Sequence, residues 1–87
     1  MRIVAVIAVL LFAGPAIAGP KCTKEPQSKW LSKEEMVKKI KAAHYSIGVF
    51  KVTSGRCYEI YGRDENGRRV EVYFHPITGE SVRIRSR

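Results

Sequence analysis

Cysteine is scarce in this chain, two in 87 residues, and acidic side chains are half as frequent as basic ones, eight against sixteen. Each shortage excludes something. Cys22 and Cys57 form no C-x-x-C pair, so neither an active dithiol nor a zinc ribbon has its ligand set. The two histidines, His44 and His75, make no H-E-x-x-H motif, and there is no nucleophile elbow, Walker loop or C-x-x-C-H haem attachment sequence. The chain therefore reads as a non-enzyme with no catalytic residues, no cofactor and no metal. Residues 64–67 begin like a calcium loop, but the later ligand positions and the closing glutamate are missing, so they read as a turn. Long apolar runs are absent too: the longest, residues 3–13, falls well short of the roughly twenty residues that span a bilayer.

What is present at the start of the chain has a different meaning. Met1-Arg2 is a basic start, residues 3–13 are apolar, Gly14-Pro15 breaks the run, and Ala16-Ile17-Ala18 has the small-x-small form of a signal peptidase site. Residues 1–18 are expected to be a signal peptide cut after Ala18, which makes the protein periplasmic or secreted, with no integral membrane segment after cleavage. Gly19-Pro20-Lys21 separates the cut from Cys22, unlike a lipoprotein signal. Cleavage leaves 69 of the 87 residues, one small domain whose core alone is marginal. A Cys22–Cys57 disulfide is expected, because export places both cysteines where such bonds persist. Closing that loop stabilises the fold by roughly 3–4 kcal/mol in the chain-entropy account. The processed domain has fifteen Lys and Arg against eight Asp and Glu, a formal net of +7. That excess favours anionic partners.

Residues 19–30 are polar, contain Pro20 and Pro26, and read as an extended leader; residues 31–87 form the domain. Ser32 and Glu35 make a capping box, with Leu31 and Met36 placed as a hydrophobic staple. Met36, Val37, Ile40 and Ala43 then recur at helical spacing, predicting one N-terminal amphipathic helix at about residues 33–44. Beyond it the period changes to two. Strands are expected at about residues 47–53, 57–63, 68–75 and 81–85. Phe50, Val52, Tyr58, Ile60, Val70, Val72, Phe74, Val82 and Ile84 share the apolar face. Lys51, Glu59, Tyr61, Arg63, Arg69, Glu71, Tyr73, His75, Arg83 and Arg85 share the wet one. A three-residue loop at residues 65–67 keeps core positions paired, Ile60 with Val72 and Tyr58 with Phe74, where a two-residue loop would oppose core to solvent. The same parity test pairs Phe74 with Val82 and Val72 with Ile84 through a loop closed by Gly79. In the connection at residues 54–56 the glycine stands in the middle, which leaves its geometry open. Short connections give a four-stranded antiparallel meander whose apolar face the helix covers, an α+β fold.

The wet face is the candidate site. Tyr61, Tyr73, Arg69 and Arg83 combine rigid aromatics with guanidiniums, residue types enriched where proteins bind proteins. Glu59 and Glu71 on the same face speak against a polyanion, and export speaks against nucleic acid. Leu31 to Glu35 opening a helix, Tyr58-Glu59-Ile60 in a strand, the turn at residues 64–67, Val70-Glu71-Val72 and the segment at residues 76–80 together resemble the PepSY family, in particular its small secreted members. The resemblance covers residues 31–84. It implies a helix on an antiparallel sheet, no catalytic residues, and an inhibitory or regulatory binding role of the kind associated with propeptides of secreted peptidases and with envelope proteins. His44 stands where glycine is common and His75 where an acidic residue often precedes the proline. The expected function is a binding module that modulates a protein partner in the envelope or outside the cell, a peptidase or an envelope signalling or redox protein. The alternative is a basic module that binds membranes or envelope polyanions. The sequence sets no oligomeric state.

The exported protein is expected to have the mass of a chain starting at Gly19, and to take up thiol-alkylating reagent at two sites only after reduction. Intact-mass measurement before and after reduction reads both.

Overall fold

The computed structural model describes residues 19–87; the signal peptide expected at residues 1–18 lies outside them. Among the described residues the order is a 3-10 turn at Gln27–Lys29, a helix α1 at Lys33–Ala42, and strands β1 Ser46–Val52, β2 Tyr58–Arg63, β3 Arg69–Phe74 and β4 Ser81–Ser86. The strands form one antiparallel sheet in the order β1-β2-β3-β4. The α+β expectation holds, with one adjustment: the helix precedes the sheet but follows the leader and its turn, so it is not the first element.

Local chemistry sets both ends of α1. The Ser32 side chain accepts from the Glu35 N–H at 3.0 Å, and the Glu35 carboxylate accepts from the Ser32 N–H at 2.9 Å. At the other end the His44 N–H reaches Lys41 O at 2.9 Å and the Tyr45 N–H reaches Ile40 O at 3.3 Å. That pair of bonds is a Schellman close, which requires a left-handed residue between them. His44 is that residue, with φ 71°. Its position explains why the helix ends short of residue 44, and a left-handed side-chain residue there costs roughly 1–2 kcal/mol.

The β2–β3 register is the one expected, Tyr58 with Phe74 and Ile60 with Val72, and Gly67 closes the turn at φ 81°. Between β3 and β4 the outcome differs. Val72 faces Ile84, but the register shifts so that Phe74 faces Ser81, not Val82. The His75 N–H donates to Glu80 O, and the Gly79 N–H donates back to His75 O, so the loop is the four residues 76–79. A three-residue loop would have put Pro76 in the ladder, where it has no N–H to give. Pro76 instead turns inward, fully buried, and its carbonyl accepts the Leu31 N–H at 2.8 Å. The His75 ring braces this turn, its Nδ1 accepting the Ile77 N–H at 3.2 Å. A further shift falls between Ile47 and Val49, where Gly48 is the extra residue.

Met36 and Ile40 from the helix meet Tyr58, Ile60, Val70, Val72 and Phe74 from the central strands, with Trp30, Leu31, Tyr45, Ile47 and Phe50 packed around them. Burial of the apolar face falls short at the margins: Val52, Val82 and Ile84 are 47%, 46% and 53% exposed. A ten-residue helix is about 15 Å long; its backbone runs closest to β1 and its Met36 and Ile40 reach β2 and β3, so β4 and the Val52 end of β1 keep part of their apolar side bare.

Ile60→Asp is expected to destabilise by about 4 kcal/mol or more, since it puts an unpaired carboxylate under the helix, while Tyr61→Asp costs about 1 kcal/mol. Thermal melts of the two variants check this; a larger loss for Tyr61→Asp would reverse the faces.

Candidate interaction face of the sheet

Cys57 directly precedes β2 and has the parity of Glu59 and Tyr61, so its side chain belongs to the face away from the helix. The Cys22–Cys57 bridge, Cα to Cα 5.2 Å, therefore draws the leader over that face. The Cys22 N–H donates to Gly55 O at 2.8 Å, and the Pro20 carbonyl occupies the space where a Cβ on Gly55 would stand. This resolves the connection at residues 54–56. Its glycine is there for the close approach of the leader, and the left-handed position falls to Arg56, φ 65°. Arg56 recovers part of that cost by donating to Glu25 O at 2.7 Å and by lying 5.1 Å from the Trp30 ring.

Further along, Gly19 rests on Tyr73, whose Cε2 lies 2.6 Å from the position a Gly19 Cβ would take. Alternation puts Tyr73 and Glu59 on the side expected to face water. Both are buried, at 3% and 2% exposure, because the leader occupies this end of the face. Tyr73 and Glu59 are direct cross-strand partners. Lys51 Nζ stands 3.8 Å from Glu59 Oε1, too far for a hydrogen bond, and Glu59 Oε2 has no partner among the described residues. Burial pushes the Glu59 carboxyl above the usual carboxylate range, the neighbouring Glu71 adds to the rise, and Lys51 and Tyr73 oppose it. Burial raises the Tyr73 phenol too, and the charges of Glu59 and Glu71 raise it further.

The opposite end of the same face is open. Tyr61 is half-buried there, with the Arg87 guanidinium 4.7 Å and Lys51 Nζ 5.1 Å from its ring centre. Arg63 and Arg69 face one another across β2 and β3. Like charges in direct register are destabilising, and the Arg63 Nη1 donation to Gly67 O at 2.9 Å holds one of them in place. A groove of about 450 Å³ runs between these arginines, Arg87 and the bulge at Gly48, with Tyr61 and Gly62 in its wall. The ion pairs among the described residues are Lys29–Glu25, Lys51–Glu59 and Arg85–Glu71; the three groove arginines take part in none.

Of the four residues singled out on the wet face, Tyr61 and Arg69 line the groove. Arg83 is exposed on β4 opposite Tyr73, outside the groove, and Tyr73 is covered. Alternation places Arg63 on this face without assigning it to the site, and it misses Arg87. The glycine pair Gly48 and Gly62, one in each of two adjacent strands, is the available signal that side-chain bulk is missing here. No three His, Cys, Asp or Glu side chains converge as a metal site would require among the described residues, and no helix among them is long and apolar enough to cross a membrane.

A capped helix laid on a four-stranded meander, with a leader stapled across the other face, defines a small α+β domain of two layers. The chain belongs to the PepSY_2 family, the peptidase propeptide and YPEB domain, whose family model matches residues 2–85. The membership expected from the helix cap and the hairpin motifs is thus met over nearly the whole chain. No curated protein and no solved structure is a significant match.

A raised folded pKa means that protonation of Glu59 stabilises the fold below the ordinary carboxylate pKa and that this contribution is lost as pH rises through the raised value. With at least one residue retained ahead of Gly19, so that residue 19 is an internal amide, Glu59→Gln is expected to raise the melting midpoint at about pH 7, with a difference that shrinks towards about pH 4. Melts of both chains across that interval measure it.

Proposed function

We propose that this chain is an exported, non-enzymatic binding module, periplasmic or secreted, that regulates a protein partner by gripping an acidic segment of it along the open end of the outer sheet face. The observation that carries this reading is the groove at Tyr61, where Arg63, Arg69 and Arg87 have no acidic partner within the described chain. A guanidinium presents a planar fork that matches a carboxylate bidentately, and an adjacent ring adds area at little entropic cost. Arg83 extends the basic surface along β4. Tyr73 serves from beneath, supporting the leader rather than touching the partner. The family's description as a peptidase propeptide supports a peptidase as the partner class, with an envelope signalling or redox protein as the other candidate.

A second reading has its own observation: Lys38, Lys39 and Lys41 are exposed on α1, and they suit a diffuse polyanion or an anionic lipid surface. Salt separates the two, since a diffuse electrostatic association weakens far more steeply with ionic strength than an aromatic-anchored one.

The test uses the partner captured from the envelope or secreted fraction by the processed protein, with dissociation constants measured for variants confirmed to be folded. Tyr61→Ala and Arg69→Glu are each expected to weaken binding by about thirtyfold, the scale of an interface hot spot, while charge reversal at Lys38, Lys39 and Lys41 together weakens it less than either. The opposite ranking transfers the site to the helix.

A further inference from the structure

The unpaired Glu59 oxygen lies at the end of the face where the expected mature chain begins. We propose that Glu59 and Tyr73 form a binding site for a primary ammonium group, and that its ligand is the α-ammonium which signal cleavage creates on Gly19. The proposal rests on the reading of the chain as an exported protein cut after Ala18.

Several independent features converge on this place. Glu59 is 2% exposed and its Oε2 has no hydrogen-bond partner among the described residues. A buried carboxylate left in that state is strongly unfavourable unless something supplies charge and donors. The cations near it leave that oxygen unserved: Lys51 Nζ, 48% exposed, makes only a long 3.8 Å ion pair with the other oxygen, Oε1, and Arg85 stands 3.7 Å from Glu71 on the far side. Tyr61 and Arg83 are the other polar groups on this stretch of the face. Glu71, diagonal to Glu59, adds a second negative charge and strengthens the demand for a cation.

Gly19 is held close by. The disulfide, the Cys22 N–H bond to Gly55 O and the packing of Pro20 on Gly55 fix the leader up to its first residues. Gly19 then lies against Tyr73, the direct cross-strand partner of Glu59, with the phenol oxygen 2.9 Å from the site of its missing Cβ. Any other side chain at residue 19 would meet that ring, so glycine lets the backbone lie flat at this point. While residue 18 is attached, the nitrogen of Gly19 is an amide with one N–H and no charge. Cleavage turns it into an ammonium with three donors and a full positive charge, the chemistry that the orphan Oε2 lacks. Processing would thereby add an ion pair that the precursor does not have, so that maturation of the domain and its removal from the signal peptide are the same event.

The test compares the exported protein starting at Gly19 with a form carrying one inserted serine between Ala18 and Gly19, each with and without Glu59→Gln. Intact mass identifies the first residue of each product; a native start other than Gly19 overturns the cleavage reading and this proposal with it. With Gly19 first, Glu59→Gln is expected to lower the thermal midpoint by about 5 °C, whereas behind the extra serine it leaves the midpoint unchanged or raises it. A shift of the same sign and size in both forms overturns the proposal and leaves the export reading intact. A comparison without any substitution at Glu59 tests the same ion pair: the Gly19-first protein should melt about 5 °C above the serine-extended one at about pH 7, and this lead should shrink as the α-amine loses its proton above about pH 8. Equal midpoints would overturn it.

Discussion

The bridge between Cys22 and Cys57 fixes the leader to the outer face of β2, and most of what distinguishes this domain from a bare helix-on-sheet unit follows from that attachment. A sheet covered by one ten-residue helix buries apolar area on one side only, which is little for a chain of this size. The bridge brings a second cover to the other side. It holds Pro20 against Gly55 and Gly19 against Tyr73, and it closes off Glu59 from water. The outer face thus becomes two regions, a covered end that serves the fold and an open end lined with arginine.

The leader is tied to the inner side as well. Trp30 meets the Tyr58 ring edge-on at 5.3 Å, Phe50 packs against the same ring at 5.0 Å, and the Tyr58 hydroxyl donates to Leu31 O at 2.6 Å. Tyr58 is buried and fully engaged, and burial raises its phenol. The segment before the helix therefore runs from one face of the sheet to the other around the end where the loops at residues 54–56 and 76–79 lie. Both loops carry contacts to it, through Gly55 and Arg56 on one and Pro76 on the other. This shared end is packed against the leader, whereas at the opposite end a side chain on Gly67 would meet nothing within 4 Å.

Periodicity and parity carry much of the fold. The Ser32–Glu35 cap, the change from period 3.6 to period 2 and the requirement that Ile60 oppose a core residue are local or pairwise constraints, and the structure obeys each of them. Departures arise where a constraint comes from elsewhere. Pro76 moves the β3–β4 turn because a residue without an N–H cannot hold a ladder position. Val52, Val82 and Ile84 alternate correctly but lie beyond the reach of a short helix. Tyr73 and Glu59 are in the predicted phase, yet covered by a segment that alternation does not describe. That cover is legible in one respect: Cys57 has the parity of the supposedly wet residues, so a bridge to Cys22 has to bring the leader over them. The basic groove is only half legible, since Arg63, Arg69 and Tyr61 follow from alternation, while Arg87 enters it by following a β4 that runs past the last expected residue.

All six residues of β4 are exposed, and the strand forms an outer edge of the sheet. Unpaired edges with apolar residues such as Val82 and Ile84 invite a second strand to add to them, and with it fibre-like growth. Here Arg83 and Arg85 alternate with those residues, so two copies meeting edge to edge in antiparallel fashion would set guanidiniums close to guanidiniums. The strand thus polices its own company. Such an edge disfavours its double more than a strand of opposite sign, and dissolved salt, by thinning that repulsion, would weaken the bias.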